Sequence, residues 1–292
     1  MGNANQTSAP YPVVKWAGGK RQLQDRIIPV LREKTDFEVN RYFEPFFGGG
    51  AILFALQPKF GAFSDINQGL LNLYIQIRDN LDAFHEVSKA LQDEYNKLDL
   101  QSQASKYYEI RTYFNEVERD GLVQAANFLF LNKAGFNGMY RENAKGGFNI
   151  PFGKRRTLNL FEYSNLVCVS QQLKNTDMYL QDYRLTVASD KVKPGDLVYF
   201  DPPYAPLSAT SSFTGYTADG FSGEDQETLA NLVRRLTDEG VYVAVSNSSA
   251  PHIEKIYRGF QFRELAATRA ISASAAGRKS VTEFLITNYE LI

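Results

Sequence analysis

The tetrapeptide Asp201-Pro202-Pro203-Tyr204 directly follows the apolar run Leu197-Val198-Tyr199-Phe200. The run reads as a short buried strand. A carboxylate, a rigid Pro-Pro backbone and an aromatic ring then stand at its carboxyl end, where open α/β sheets bind ligands. Prolines donate no backbone hydrogen bond and hold the neighbouring carbonyls in fixed directions. The group therefore offers acceptors beside a flat stacking surface, with no nucleophile and no strong base. This suits a planar amino group such as the exocyclic nitrogen of a nucleobase. The plainer alternative is a proline-rich turn in which Asp201 caps the next element.

Three further clusters invite chemistry. Phe47-Gly48-Gly49-Gly50 lets backbone approach a ligand closely because glycine has no Cβ, although a tight turn needs the same residues. Asp65 ends the next apolar run, where an acid can accept both hydroxyls of a ribose or cap the helix that begins near Asn67. Lys15-Trp16-Ala17-Gly18-Gly19-Lys20 puts an indole and two ammonium groups around a Gly-Gly turn, or is simply a basic loop with one buried tryptophan. Other chemistries are poorly supplied. Cys168 stands alone, and the two histidines, His85 and His252, lie outside any metal-ligand spacing, reading as surface or packing residues. Zinc sites and Ser-His-Asp hydrolysis are therefore disfavoured.

The elements that must carry these groups alternate. A helix is predicted over 22–31, a strand over 42–46, a helix over 51–56, a strand over 61–65 and a helix over 68–79, with Leu70, Leu71, Tyr74 and Ile77 on one face. Strand, glycine turn, helix, strand and acid begin a mononucleotide-binding βαβ unit. Helical periodicity then runs from 81 to 133, followed by a Gly/Asn-rich stretch over 135–153 that reads as loops and a hairpin. Strands return at 178–180, 197–200 and 241–245, with a helix over 224–236 and a final strand pair at 260–265 and 281–288. The expected fold is one α/β domain, residues 1–80 and 165–292, carrying a helical insertion over 81–164.

The 292 residues suffice for such a core, and the formal net charge is only −1. Charge is unevenly spread. Lys133, Arg141, Lys145, Lys154, Arg155 and Arg156 face one acid, Glu142, between 132 and 156. Arg269, Arg278 and Lys279 recur near the end without an acid between 266 and 280. Two basic clusters flanking Gly-rich segments suggest a phosphate-binding face, although solvated charge runs look the same. No apolar run is long enough to cross a membrane. Residues 1–10 lack a signal-peptide core and read as a disordered leader. Single-cysteine usage fits a reducing cytoplasm.

Taken jointly, Lys-Trp-Ala-Gly-Gly-Lys, Phe-Glu-Pro-Phe-Phe-Gly-Gly-Gly, Ser-Asp-Ile-Asn and Asp-Pro-Pro-Tyr, in that order, resemble the Dam-type DNA adenine-N6 methyltransferases of the α-group. The resemblance extends over Phe136 to Arg141, Phe148 to Gly153, Ala205 to Thr210 and Gly277 to Lys279. It implies a Rossmann-like S-adenosylmethionine-dependent methyltransferase sheet with a helical target-recognition insertion. It also implies Trp16, Lys20, Glu44, Pro45, Phe46, Gly48, Gly50 and Asp65 as cofactor contacts, together with Asp201. Asp201 and the Pro202 carbonyl would accept from the N6 amino group of a flipped adenine, and Tyr204 would stack on its ring.

Target reading, by the same resemblance, falls to Lys15, Phe136, Asn137, Met139, Arg141 and Pro151. Arg141 is suited to a guanine edge, and Phe136, Asn137 and Met139 to wedging into the stack. Arg155, Arg278 and Lys279 join them as basic DNA contacts. The family's site is GATC in double-stranded DNA, and the enzyme is expected to be monomeric. The chain departs from the enterobacterial pattern at Lys133-Ala134-Gly135-Phe136, at Met139-Tyr140 and at Arg155, which puts flanking preference in question. Rival readings are an amino-methyltransferase acting on RNA or protein, and a non-catalytic DNA-binding regulator. The basic Gly/Asn loop argues against the first, and the intact Asp201 to Tyr204 and glycine loop against the second.

Overall fold

A computed structural model describes residues 9–36, 40–188, 190–205, 221–268 and 280–290. Its strands are β1 (Tyr42–Glu44), β2 (Gly61–Asp65), β3 (Thr176–Leu180), β4 (Leu197–Phe200), β5 (Tyr242–Ser248), β6 (Gln261–Thr268) and β7 (Ser280–Thr287). They form one sheet in the order β3-β2-β1-β4-β5-β7-β6. β1 pairs in parallel with β2 and β4, and β4 with β5, whereas β7 runs antiparallel to both β5 and β6. Strand order reverses between β1 and β4, the switch point outside whose carboxyl ends ligands bind in open sheets. The loops leaving those two ends are the ones that carry Glu44 to Gly50 and Asp201 to Tyr204.

Continuous apolar character explains the central strands. Leu197, Val198, Tyr199 and Phe200 are all buried, as a parallel strand covered on both faces requires. Each such side chain contributes roughly 1.5–3 kcal/mol of burial. Most predicted elements lie within two residues of those observed, but β5 and β6 each run three residues past their predicted ends. The helices Tyr163–Leu173, Tyr183–Thr186 and Pro251–Ile256 were not predicted; the final strand pair is the β6–β7 hairpin.

The chain divides into two compact units. One draws on residues 1–19, 48–57 and 65–180, the other on 20–47, 58–64 and 181–292. The second holds β1, β4, β5, β6, β7 and most of β2. It also holds helices α1 (Gln24–Arg32), α8 (Tyr183–Thr186), α9 (Gly223–Asp238) and α10 (Pro251–Ile256). α9 opens on a capping box between Ser222 and Asp225, which satisfies two otherwise orphaned amides.

The first unit is mainly helical, with α2 (Ala51–Leu56), α3 (Gln68–Asp79), α4 (Leu81–Lys97), α5 (Leu100–Glu116), α6 (Gly121–Ala134) and α7 (Tyr163–Leu173). α6 is buried around nearly its whole circumference, Gln124 to Asn132 without interruption, which marks it as a core helix. α3, α4 and α5 pack against it. His85 on α4 sits edge-on to Phe161, with ring centroids 5.1 Å apart, in the packing role expected of it. Among the described residues no helix is long and apolar enough to cross a membrane.

Candidate active site

In the second unit, β4 delivers Asp201 into a partly buried charged cluster. The ammonium of Lys20 lies 2.7 Å from Asp201 Oδ1, with the two side chains 5% and 18% exposed. The same ammonium stands 4.7 Å from the centroid of the Tyr204 ring, a cation–π contact. The Tyr204 hydroxyl donates to Glu283 Oε2 on β7 at 2.7 Å. Burial pushes the Asp201 carboxyl above the usual aspartate range, and Lys20 pulls against that shift. Burial and the negative charges of Asp201 and Glu283 push the Tyr204 phenol well up, so it remains a neutral donor.

The backbone of the tetrapeptide is tied down as well. Gln226 on α9 donates to the Pro203 carbonyl at 2.9 Å, and Asn247 donates to Gln226 Oε1 at 2.9 Å. Ser248 donates to the Ala205 carbonyl at 2.7 Å. Pro202 is buried while Pro203 is exposed. Acceptors at this turn are thus held by side chains from α9, β5 and β7, a rigid support of the kind that site preorganisation needs.

The carboxyl end of β1, in the same unit, contributes Glu44, Pro45 and Phe46. Glu44 is buried and accepts from the Tyr42 hydroxyl at 2.9 Å. The Pro45 carbonyl accepts from Ser64 at 3.2 Å. Phe46 stacks on Tyr183 with centroids 4.9 Å apart and meets Phe221 edge-on at 5.7 Å. The three rings form one aromatic cluster beside the end of β1.

In the first unit, the glycine loop wraps an indole. Gly48 has φ +51°, and a Cβ placed there would lie 2.8 Å from Trp16 Cδ1. The loop therefore admits only glycine at this position for two independent reasons. Asp65 accepts from the Gly48 amide at 2.9 Å through Oδ2 and from the Asn67 amide at 2.9 Å through Oδ1. Burial nevertheless raises its carboxyl above the usual range. The alternative in which Asp65 caps α3 is corrected here: the cap is Asn67, whose side chain accepts from Leu70 at 2.9 Å. Asp65 instead binds the loop to the strand end.

The Gly/Asn-rich stretch of this unit folds as a short hairpin closed by the pairings Gly135 with Phe152 and Glu142 with Phe148. Its tip is an Asn-Ala-Lys-Gly turn in which Asn143 accepts from the Lys145 and Gly147 amides. Phe136 is 52% exposed, an unusual state for a phenylalanine. Asn137 is exposed at φ +56°, and Met139 is half-buried. Arg141 is exposed, its Nε donating to Asn149 Oδ1 at 2.8 Å. Pro151 and Arg155 are exposed too, and the Arg155 carbonyl accepts from Tyr95. Lys15 is tied to the same region: its backbone exchanges hydrogen bonds with the Asn132 side chain at 3.1 and 2.9 Å.

Residues 16–271 match the family described as D12 class N6 adenine-specific DNA methyltransferase. A type II methyltransferase of Lactococcus lactis subsp. cremoris is 39% identical over 285 residues, 95% of each chain. A type II methyltransferase of Methanocaldococcus jannaschii is 38% identical over 95% of this chain and 99% of its own. The DNA adenine methylase of Vibrio cholerae is 34% identical over 93% and 94%. The chain belongs to the D12 class of adenine-specific DNA methyltransferases. It is accordingly an enzyme, its methyl donor is S-adenosylmethionine, and its substrate is DNA.

Within this methyltransferase the expected site residues fall into separate groups. Lys20 and Asp201 meet as an ion pair, with Tyr204 beside them, in the second unit, where Glu44, Pro45 and Phe46 also lie. Trp16, Gly48, Gly50 and Asp65 belong to the first unit, as do Lys15, Phe136, Asn137, Met139, Arg141, Pro151 and Arg155. Arg278 and Lys279, and the Pro206 to Thr210 part of the resemblance, lie outside the described residues. The sequence reading missed Glu283, Gln226, Asn247 and Ser248 as supports of the tetrapeptide, and Tyr183 and Phe221 as partners of Phe46. Ser246-Asn247-Ser248-Ser249 was a visible signal, since a polar run at the end of a buried strand needs partners. Glu283 within the last apolar strand was another.

Proposed function

We propose that this methyltransferase modifies N6 of adenine in GATC within duplex DNA, after flipping the base out of the stack. The reading is carried by the partly buried Lys20–Asp201–Tyr204–Glu283 cluster, which supplies a carboxylate acceptor beside a held aromatic ring and no nucleophile. S-adenosylmethionine brings an already activated methyl group, so the chain must align and stabilise rather than attack. Adenine N6 is a poor nucleophile because its lone pair is delocalised into the ring. Asp201 and the Pro202 carbonyl accept from the amino group, favour its tetrahedral form and stabilise the positive charge that develops there. Tyr204 stacks on the flipped ring and offsets part of the few kcal/mol that extrusion costs. Once N6 carries the methyl group, its surplus proton leaves to solvent.

In this reading the donor contacts are Lys20, Glu44, Pro45, Phe46 and Asp201 in the second unit and Trp16, Gly48, Gly50 and Asp65 in the first, with Asp65 accepting from the donor's ribose. The helical segment 81–164 is the target-recognition domain. Arg141, already oriented by Asn149, reads a guanine edge, with Lys15 on the first guanine. Phe136, Asn137 and Met139 wedge, while Pro151 and Arg155 make further contacts along with Arg278 and Lys279. In this reading the enzyme acts as a monomer.

The test is plasmid recovered from a methylation-deficient host that expresses the chain. Resistance to an endonuclease blocked by GATC methylation, with cutting by one that requires it, is the expected pair of results. Unprotected GATC with transfer to another adenine site would overturn the target assignment.

A further inference from the structure

Tyr140 stands between the base-reading hairpin and the glycine loop, and in the first unit it touches the supports of both. Its ring stacks on Trp16 with centroids 5.2 Å apart and planes 23° apart. Trp16 in turn covers Gly48 so closely that a Cβ there would clash. Phe128 and Phe148 flank the Tyr140 ring at 5.3 and 5.5 Å. The phenol donates to Glu142 and accepts from Arg119 at 3.1 Å. Arg119 also binds Glu142 and the Gly146 carbonyl, across the hairpin tip.

On the loop side, Asp65 accepts from the Gly48 amide and, through its other oxygen, from the Asn67 amide. The hairpin is thus joined to the glycine loop through Trp16 by ring stacking. Burial and the Glu142 charge push the phenol well above its usual range, so its donor state does not change across working pH.

We propose that Tyr140 is a positioning residue that couples order in the base-reading hairpin to order in the glycine loop, so that duplex DNA and the methyl donor bind cooperatively. The proposal rests on the assignments of the hairpin to DNA and of Trp16, Gly48 and Asp65 to the donor. Physical coupling requires a packed or hydrogen-bonded network that both ligands bias, and it must be reciprocal. Both conditions make it measurable.

Trp16 is the single tryptophan of the chain, and it lies at the junction, so its fluorescence reports the contact directly. The full chain is titrated with S-adenosylhomocysteine, an unreactive probe of the donor site, with and without a saturating GATC duplex. Calorimetry records binding independently of the optical signal. Wild type should bind the probe about 5–150-fold more tightly when DNA is present, the usual span of allosteric coupling. Tyr140→Ala should reduce that ratio to below about twofold and shift Trp16 emission to the red. Tyr140→Phe keeps the stack, loses the hydroxyl's bonds to Glu142 and Arg119 and should fall between, which preserves the test if the alanine variant folds poorly. Equal ratios in wild type and Tyr140→Phe and Tyr140→Ala, or no coupling in wild type, would overturn the inference. Calorimetric binding with Trp16 emission unmoved would instead overturn the donor-site assignment, and the inference with it.

Discussion

The Lys20–Asp201–Tyr204–Glu283 cluster and the 135–153 hairpin both carry charge, but they hold it in opposite ways. In the cluster Lys20 is buried and Asp201 and Glu283 are half-buried, each bonded to a partner at 2.7 Å and braced by side chains from three elements. On the hairpin, Arg141 is exposed and the tip is held by turn hydrogen bonds, and Arg155 just beyond it is exposed too. Buried, preorganised dipoles act in a low dielectric and stabilise developing charge without rearranging. Exposed guanidinium groups can meet a partner's phosphates and base edges, at a cost in salt sensitivity. On the proposed reading, the cluster carries the chemistry and the hairpin the recognition.

Lys20→Met should have the largest effect. It leaves a buried carboxylate without its partner and should cost about 3–5 kcal/mol of stability at neutral pH, read by denaturant unfolding. The deficit should shrink in acid, because protonated Asp201 no longer needs the cation. A deficit independent of pH would mean the pair is not the source.

Asp201→Asn retains shape and loses the charged acceptor. Transfer should fall by about 10²–10³-fold in a single-turnover assay, with duplex binding kept. A loss of binding equal to the loss of rate would move Asp201 from chemistry to recognition.

Arg141→Ala should cost about 1–3 kcal/mol of discrimination at one guanine, measured as the ratio of transfer to GATC and to single-base variants. An unchanged ratio would remove Arg141 from the readers.

The smallest effect is on the pH profile. The Asp201 carboxyl is raised, and its ionised form is the proposed acceptor, so activity should fall as pH drops through a value above the usual aspartate pKa of about 3.9. The sign for stability is opposite: a raised carboxyl favours folding most in acid, and that contribution is lost as pH rises through the folded value. Acid loss of activity and acid gain in this stability component should therefore coincide in wild type and vanish in Asp201→Asn.

Much of this was legible along the chain. Apolar runs such as Leu197 to Phe200 and Val241 to Val245 announce buried strands, and Gly48 to Gly50 with Asp65 announces a nucleotide-type loop. The pairing of Lys20 with Asp201 was not legible, because it joins residues 181 positions apart that only the folded second unit brings together. Glu283 was missed for the same reason: its partner is set by the register of β7 on β5. Tyr140 looked like a mere departure from a familiar pattern, since neither stacking on Trp16 nor the link to Arg119 has a local signature.

The division of labour is tested most directly by measuring, on the same duplexes, single-turnover transfer rate and cognate discrimination in binding for Asp201→Asn and Arg141→Ala. The account predicts that Asp201→Asn loses rate and keeps discrimination, while Arg141→Ala keeps most of its rate on GATC and loses discrimination. A reversal, or equal losses of both in each variant, would contradict it.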